Sequence, residues 1–118
     1  MAIVGCRRDG LSREQRRARS AARHCYELLM KGRYAKFVGE MADAEYFSED
    51  YRRQMEELVH EYHATTLARH RGLVSVVAVG DTLMGHQAHI YLQLTFADST
   101  SEEVGVPMVL VDDKWKMR

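Results

Sequence analysis

The sequence has no net charge, no long apolar run, and only one proline and two cysteines among its 118 residues. Its seventeen basic and seventeen acidic residues cancel, which argues against a dedicated nucleic-acid binder. No apolar run approaches the roughly 20 residues that a membrane-spanning helix needs. Because 46% of the residues are hydrophobic, a wholly disordered or collagen-like chain is excluded, and the length suits one domain.

Motifs that often reveal a catalytic or metal site are also missing. Cys6 and Cys25 form no C-x-x-C pair, and no spacing typical of zinc ligands occurs. The segment HEYH at residues 60–63 is one residue short of the zinc-protease motif H-E-x-x-H, and spacing supplies no third ligand. There is no Gly-rich phosphate loop and no G-x-S-x-G nucleophile elbow. We therefore predict no metal, no cofactor and no catalytic residue.

Positive charge is concentrated near the N-terminus. From Arg7 to Arg23, seven arginines stand against Asp9 and Glu14, so seven minus two gives this stretch a charge of +5. Such a stretch can contact phosphates or anionic lipid head groups, or it can be the solvated face of a helix beside a flexible tail. The second interpretation is favoured, because no aromatic residue interrupts the run to stack on bases.

The first half of the chain has the periodicity of helices. Residues 1–11 are predicted to form a flexible tail, after which Ser12 and Gln15 fit a capping box that begins a helix ending at Gly32. A second helix fits residues 34–41, and a third fits residues 48–71. On the third helix we expect a buried stripe, with His63 on its flank and His60 on its back. That stripe consists of Tyr51, Met55, Leu58, Val59 and Tyr62.

After Gly72 the period changes to that of strands. The segments expected to form four strands are residues 73–79, 86–97, 103–111 and 114–118. Gly80-Asp81 and Gly85 mark the first turn, and Pro107, which has no amide donor, is expected at an edge or a bulge. Strands joined by short turns form an antiparallel meander whose apolar face the helices must cover, so the fold class is α+β. The expected inward residues of the second strand are Ala88, Ile90, Leu92, Leu94 and Phe96.

Three segments resemble the nuclear transport factor 2-like (cystatin-like) superfamily, and in particular its small bacterial envelope domains of unknown function. They are LMKGRY at residues 29–34, AHIYL at residues 88–92 and VLVDDKWKM at residues 109–117, where the family commonly has glycine at the position of Asp113. The resemblance covers about residues 14–118. It implies a cone in which three N-terminal helices pack in the concave face of a curved four-stranded antiparallel sheet, with residues 12–118 as a single domain.

The superfamily includes ketosteroid isomerase, scytalone dehydratase and polyketide cyclases, and also non-catalytic binding domains. Its enzymes work inside the cone with carboxylates, tyrosines or histidines. The inward strand positions expected here include no acid, histidine or lysine, so no catalytic residue of the family is carried over. We expect a non-catalytic accessory domain that binds a small apolar ligand or an envelope protein. The alternative is an isomerase, dehydratase or cyclase.

Two groups of residues are candidates for binding. One outer sheet face, carrying Tyr91, Gln93 and Thr95, mixes aromatic, aliphatic and polar side chains with few charges, which is typical of a homodimer interface. The other group consists of aromatic residues, which either line a pocket in the cone or belong to the plain core. These are Tyr26, Tyr34, Tyr62, Phe96 and Trp115.

The segment IVGC at residues 3–6 resembles the end of a bacterial lipoprotein leader, in which a small residue precedes the cysteine that receives lipid. Only residues 2–4 precede Gly5, whereas a leader needs roughly 7 to 15 apolar residues. Either the sequence begins late or the match is due to chance. The first interpretation predicts an envelope protein whose sole membrane contact is a lipid on Cys6, and the second predicts a cytoplasmic one.

Overall fold

The computed structural model describes residues 10–118, with only the backbone of Leu67, as three helices followed by four strands. The helices are α1 (Arg13–Met30), α2 (Tyr34–Gly39) and α3 (Glu49–His70), with a 3₁₀ turn at Ala44–Tyr46 before α3. The strands are β1 (Leu73–Met84), β2 (Gln87–Phe96), β3 (Ser101–Val111) and β4 (Lys114–Met117). Across residues 10–118, no helix is long and apolar enough to span a bilayer. Cys6 lies outside the described residues, and its lipidation stays a prediction.

The start of α1 is the predicted capping box. The Ser12 hydroxyl oxygen accepts a hydrogen bond from the Gln15 backbone N–H at 3.1 Å, and the Gln15 side chain accepts one from the Ser12 N–H at 2.8 Å. The helix ends at Met30, where Gly32 adopts a φ of +73° and the Arg33 N–H donates back to the Leu28 carbonyl at 2.8 Å. Local sequence chemistry therefore determines both ends of α1.

The four strands form one antiparallel sheet in the order β1-β2-β3-β4, as the meander predicted. The expected turn at Gly80-Asp81 was wrong, because β1 continues to Met84 through a register shift between Ala78 and Gly80. One extra residue of β1 forms a bulge immediately before Gly80. The turn between β1 and β2 is the two-residue Gly85-His86. The longer strand brings Asp81 opposite Ile90, on the face that the helices cover.

Pro107 lies where an inner strand becomes an edge. β3 pairs with β2 along its length, but β4 ends at Met117, opposite Met108. The Pro107 carbonyl accepts a hydrogen bond from the Arg118 N–H at 2.9 Å. The backbone polar groups of Pro107 therefore point away from β2. The missing proline N–H therefore costs no bond between β2 and β3.

The covered face of the sheet, called here the inner face, packs closely on α1. Ile90, Leu92 and Met108 are 0% exposed, and the facing Ala18 and Ala22 of α1 are also 0% exposed. Alanine side chains allow the helix to approach the sheet closely, so the larger strand residues fill the space between the two layers. The hydrophobic core is therefore the α1–sheet interface.

The buried stripe expected on α3 was wrong at three of its five residues, whereas Val59 is buried and Met55 is partly buried. Leu58 is 59% exposed, and Tyr51 and Tyr62 are exposed as well, whereas Val59 and His63 are buried, with 9% exposure each. Consecutive helical residues differ by 100°, so the buried direction is turned by about that angle from Tyr62 toward His63. The physical reason is that α3 is held largely by α2, through a contact to His63.

Candidate functional site

The inner face leaves no chamber beside its central residues. Exposure of 0% at Ile90, Leu92 and Met108 means that no space of the size of a water molecule adjoins these side chains. Cys25 of α1 is buried in the same core, and burial, followed by the nearby charge of Glu40, raises the pKa of its thiol to about 12. This thiol therefore stays protonated and is unsuited to act as a nucleophile.

Asp81 is an inner-face acid that the sequence analysis missed. Its side chain is 3% exposed, the Arg19 guanidinium donates to one carboxylate oxygen at 2.6 Å, and the Gln15 amide donates to the other at 3.0 Å. Because a cation and an amide occupy both oxygens, this carboxylate joins α1 to β1 as a structural ion pair. If the strand alternation is continued from Ala78 through a bulge to Leu83, Asp81 falls on the inner face.

A tyrosine and two histidines meet between α2 and α3. The Tyr34 hydroxyl lies 2.7 Å from His63 Nδ1, and the Tyr34 ring lies 4.8 Å from the His60 ring. Burial, followed by the neighbouring His60, lowers the pKa of His63, so this imidazole is neutral at pH 7. An open groove of about 510 Å³ on the outside of these helices is lined by Tyr34, His60, Arg33 and Lys36. No strand residue lines this groove, and the contact between Tyr34 and His63 attaches α3 to α2.

Within residues 10–118, no group of three or more histidine, cysteine or acidic side chains is arranged to hold a metal ion. His60 and His63 occur one turn apart on α3, but His63 uses Nδ1 in its contact with Tyr34. Both histidines contact Tyr34 of α2.

The five aromatic pocket candidates are spread over the domain. Tyr26 is partly buried against the edge of Phe37, at a centroid distance of 5.9 Å, and burial raises the pKa of its phenol to about 12. Tyr62 is 44% exposed on α3 and lies near enough to Tyr26 to affect its titration. Partial burial, followed by the Glu102 charge, raises the pKa of Tyr62. Tyr34 belongs to the α2–α3 contact described above.

Phe96 and Trp115 lie at opposite ends of the sheet. Phe96 pairs with the first residue of β1 and stacks on the His70 ring at 4.4 Å. Trp115 is buried at the other end, where its indole N–H donates to Glu14 at 3.3 Å. The structure therefore brings Tyr26 and Tyr62 near each other and leaves Phe96 and Trp115 in separate parts of the core.

A histidine, an aspartate and a threonine meet at the turn between β2 and β3. His70 Nδ1 lies 3.1 Å from Asp98 and 3.2 Å from the Thr100 hydroxyl. Both partners use the same ring nitrogen, whereas a catalytic triad places the carboxylate and the hydroxyl on different nitrogens. The Thr100 backbone N–H also donates to Asp98, at 3.0 Å, so this cluster closes the turn.

The outer face of the sheet carries a flat aromatic patch. Tyr91 lies between Gly80 and Gly105 on the neighbouring strands, and its ring stacks with His89 at 5.7 Å and 29°. A Cβ at Gly105 would lie 3.2 Å from the His89 ring, so these rings cover the position where glycine has no side chain. Val77 is exposed beside them. The patch therefore presents aromatic and aliphatic surface without a carboxylate or an amine at its centre.

The dimer-face candidates lie within this patch or beside it on β2. Gln93 is exposed, and Tyr91 and Thr95 are half-buried on the same strand, all on the side away from the helices. Charged side chains occur toward the ends of the face, at Glu103 opposite Gln93 and at Lys116 opposite Val109.

Neither a family model nor a curated protein matches this sequence. The structure is similar to the crystal structure of a candidate NTF2-like transpeptidase from Campylobacter jejuni, with a TM-score of 0.69. The two sequences are 16% identical, and the match covers 90% of this chain and 97% of the Campylobacter chain. A similarity at this identity shows the fold alone, and it confirms the fold class that the sequence predicted.

Proposed function

We propose that this domain, which has the nuclear transport factor 2-like fold, is a non-catalytic accessory domain that binds a second copy of itself through the outer face of its sheet. The observation that carries the proposal is the distribution of apolar surface. The inner face is filled by α1, while Val77 and the Tyr91 patch remain uncovered on the other side. An uncovered apolar sheet face surrounded by polar residues is typical of a protein interface.

The same packing weighs against the alternative of an isomerase, dehydratase or cyclase. Such an enzyme needs a base within hydrogen-bond reach of a bound substrate. Both oxygens of Asp81 already accept hydrogen bonds, and His63 contacts Tyr34 away from the inner face. Ile90 and Leu92 are covered by α1 where a substrate would have to lie.

Tyr91 is the proposed anchor of the dimer. Its ring is large and rigid, and the glycines on both sides leave its surroundings flat enough for a second sheet to approach. A two-fold axis through this patch would bring the two Tyr91 rings close together. The charged Glu103 and Lys116 would then lie toward the edge of the interface, where they remain hydrated.

The proposed location in a bacterial envelope rests on the sequence, through the Gly5-Cys6 resemblance to a lipoprotein leader. The transpeptidase activity named for the Campylobacter protein is not part of the proposal. The single cysteine among residues 10–118, Cys25, has a buried thiol whose pKa is raised to about 12.

Sedimentation equilibrium of the wild type and of Tyr91→Arg tests the dimer. Over about 1 to 200 µM, we expect the wild type to be dimeric and the variant monomeric, because the substitution places two like charges near the two-fold axis. Tyr46→Arg is the matched control, since Tyr46 is exposed on the 3₁₀ turn, far from β2 in the chain. It should dimerise like the wild type. A wild type that stays monomeric, or a Tyr91→Arg variant that dimerises equally well, contradicts the proposal.

A further inference from the structure

The arginine-rich stretch at the N-terminus is joined in the folded chain by lysines from the C-terminus. Arg13, Arg16 and Arg17 on the first turns of α1 line an open groove of about 570 Å³. Lys114 and Lys116 of β4 line the same groove from the other side. The antiparallel meander returns the last strand to the start of the first helix, so this basic cluster exists only in the tertiary structure.

The groove carries an excess of positive charge. Its lining has these five cations and two carboxylates, Glu40 and Asp113, so five minus two gives +3 in a chain with zero net charge. Asp113 is highly exposed and lies 3.5 Å from Arg17, which also pairs with Glu14 at 2.7 Å. Within residues 10–118, no hydrogen bond or ion pair holds the side chains of Arg13, Lys114 or Lys116. These three cations are therefore available to an added anion.

Neutral donors accompany the cations. The Met117 N–H donates to the Glu40 carbonyl and the Arg118 N–H to the Pro107 carbonyl, so alternate residues of β4 point away from β3. By this alternation, the Trp115 backbone N–H points to the free side of the strand, where Glu40 and Trp115 line the groove. The Ser20 hydroxyl lines it as well. Main-chain N–H, hydroxyl and cationic groups are the donors that bind phosphate oxygens.

We propose that this groove is a binding site for a phosphate-bearing anion, held by Arg13, Lys114 and Lys116. A phosphate group offers several acceptor oxygens and more than one negative charge, which suits a site with three uncommitted cations better than a single carboxylate does. The site is formed by α1 and β4, away from the Tyr91 patch on β2. It shares with the proposed dimer only Lys116, at the edge of that interface, and its argument does not depend on the dimer.

Pyrophosphate titration followed by two-dimensional NMR tests the site in the full chain. Trp115 is the one tryptophan of the sequence and lines the groove, so its indole N–H gives a single, assigned reporter signal. We expect a saturable shift of this signal at constant ionic strength. Lys114→Gln combined with Lys116→Gln should weaken binding about tenfold or more, because two charge-assisted contacts are lost.

Lys31→Gln combined with Lys36→Gln is the matched control, because it removes the same charge from two exposed lysines outside the groove. This variant should bind pyrophosphate within about twofold of the wild type. Equal weakening by both double variants would show that pyrophosphate responds to the overall positive charge of the protein and not to a site in the groove. No saturable shift of the indole signal up to about 10 mM pyrophosphate would also overturn the proposal.

Cosedimentation with vesicles distinguishes the two sources of phosphate. Binding to phosphatidylglycerol vesicles but not to phosphatidylcholine vesicles, with competition by pyrophosphate, would identify a lipid head group. Pyrophosphate binding without vesicle binding would identify a soluble phosphate compound. Either result supports the groove as an anion site.

Discussion

At the scale of single residues, three ionisable side chains in or near the core are either bound by a neighbour or buried. Asp81 is bound by Arg19 and Gln15, and His63 by Tyr34. Cys25 is buried, so its thiol stays protonated. Chemistry that an isolated residue type suggests is thus used here to hold elements together, which agrees with the proposed non-catalytic role.

Asp81→Asn should destabilise the protein by about 2 kcal/mol, because the change removes a buried carboxylate that pairs with Arg19 at 2.6 Å. Urea denaturation measures the free energy of unfolding. The control is Asp50→Asn, whose pair with Arg53 is exposed on both sides and should contribute less than about 0.5 kcal/mol. If both variants lose the same stability, the buried pair is not a structural link between α1 and β1.

Asp98 should titrate far below an ordinary aspartate. Hydrogen bonds from the Thr100 hydroxyl, at 2.5 Å, and then from the Thr100 backbone N–H lower the pKa of Asp98 from 3.8 to about 2. Because the pKa is lower in the folded protein, these bonds contribute stability above about pH 4, and this contribution is lost as the pH falls to about 2.

Thr100→Val should raise the Asp98 pKa, because it removes the hydroxyl that is the largest cause of the shift. Thr100→Ser keeps a hydroxyl and should leave the pKa low. Carbon-detected NMR of the side-chain carboxyl measures each titration. An unchanged Asp98 pKa in the valine variant would assign the shift to the backbone donor and His70 instead.

At the scale of elements, α3 shows that an apolar stripe in the sequence does not by itself identify the buried side of a helix. Tyr51, Leu58 and Tyr62 lie within a narrow sector of the helix, so the periodicity correctly predicts an apolar stripe. The adjoining sector, with Val59 and His63, is the one that packs against the rest of the domain. Which sector is buried depends on the position of α2 and its Tyr34, which the helix sequence does not contain.

Alanine substitutions at two neighbouring positions of α3 test this orientation. Val59→Ala should cost about 1 to 2 kcal/mol, because it leaves a gap in a buried position. Leu58→Ala should cost less than about 0.5 kcal/mol, although it removes a larger side chain, because Leu58 is exposed. Thermal and urea unfolding measure both. The opposite order would place Leu58 in the core and contradict this orientation of α3.

At the scale of the whole molecule, the domain is thin, with extents of 54 × 37 × 18 Å. A two-layer arrangement of helices on one sheet leaves the second sheet face uncovered. The same topology brings the chain's last strand beside its first described helix, where Trp115 donates to Glu14. The two proposed binding surfaces follow from these two properties, the outer face from the layering and the basic groove from the return of β4 to α1.

The sequence by itself determined the element order, the capping box of α1, the meander and the fold class. These features depend on local chemistry: Ser12 and Gln15 bond each other within one turn, and the alternation from Ala88 to Phe96 lies within one strand. The aromatic pocket candidates could not all be placed in this way, because Tyr34, Phe96 and Trp115 contact partners distant in the chain, such as His70 for Phe96.

Only the tertiary structure decided the buried side of α3, the inner position of Asp81 and the presence of Arg13 and Lys114 in one groove. In each case the deciding contact joins residues that are separated along the chain or depends on a bulge, as at Gly80. A bulge shifts every later side chain to the other face, and an ion pair or groove between distant segments leaves no periodic signal. The two faces of the sheet are therefore encoded by local alternation, whereas the buried side of α3, the Asp81 ion pair and the basic groove arise from the folded arrangement.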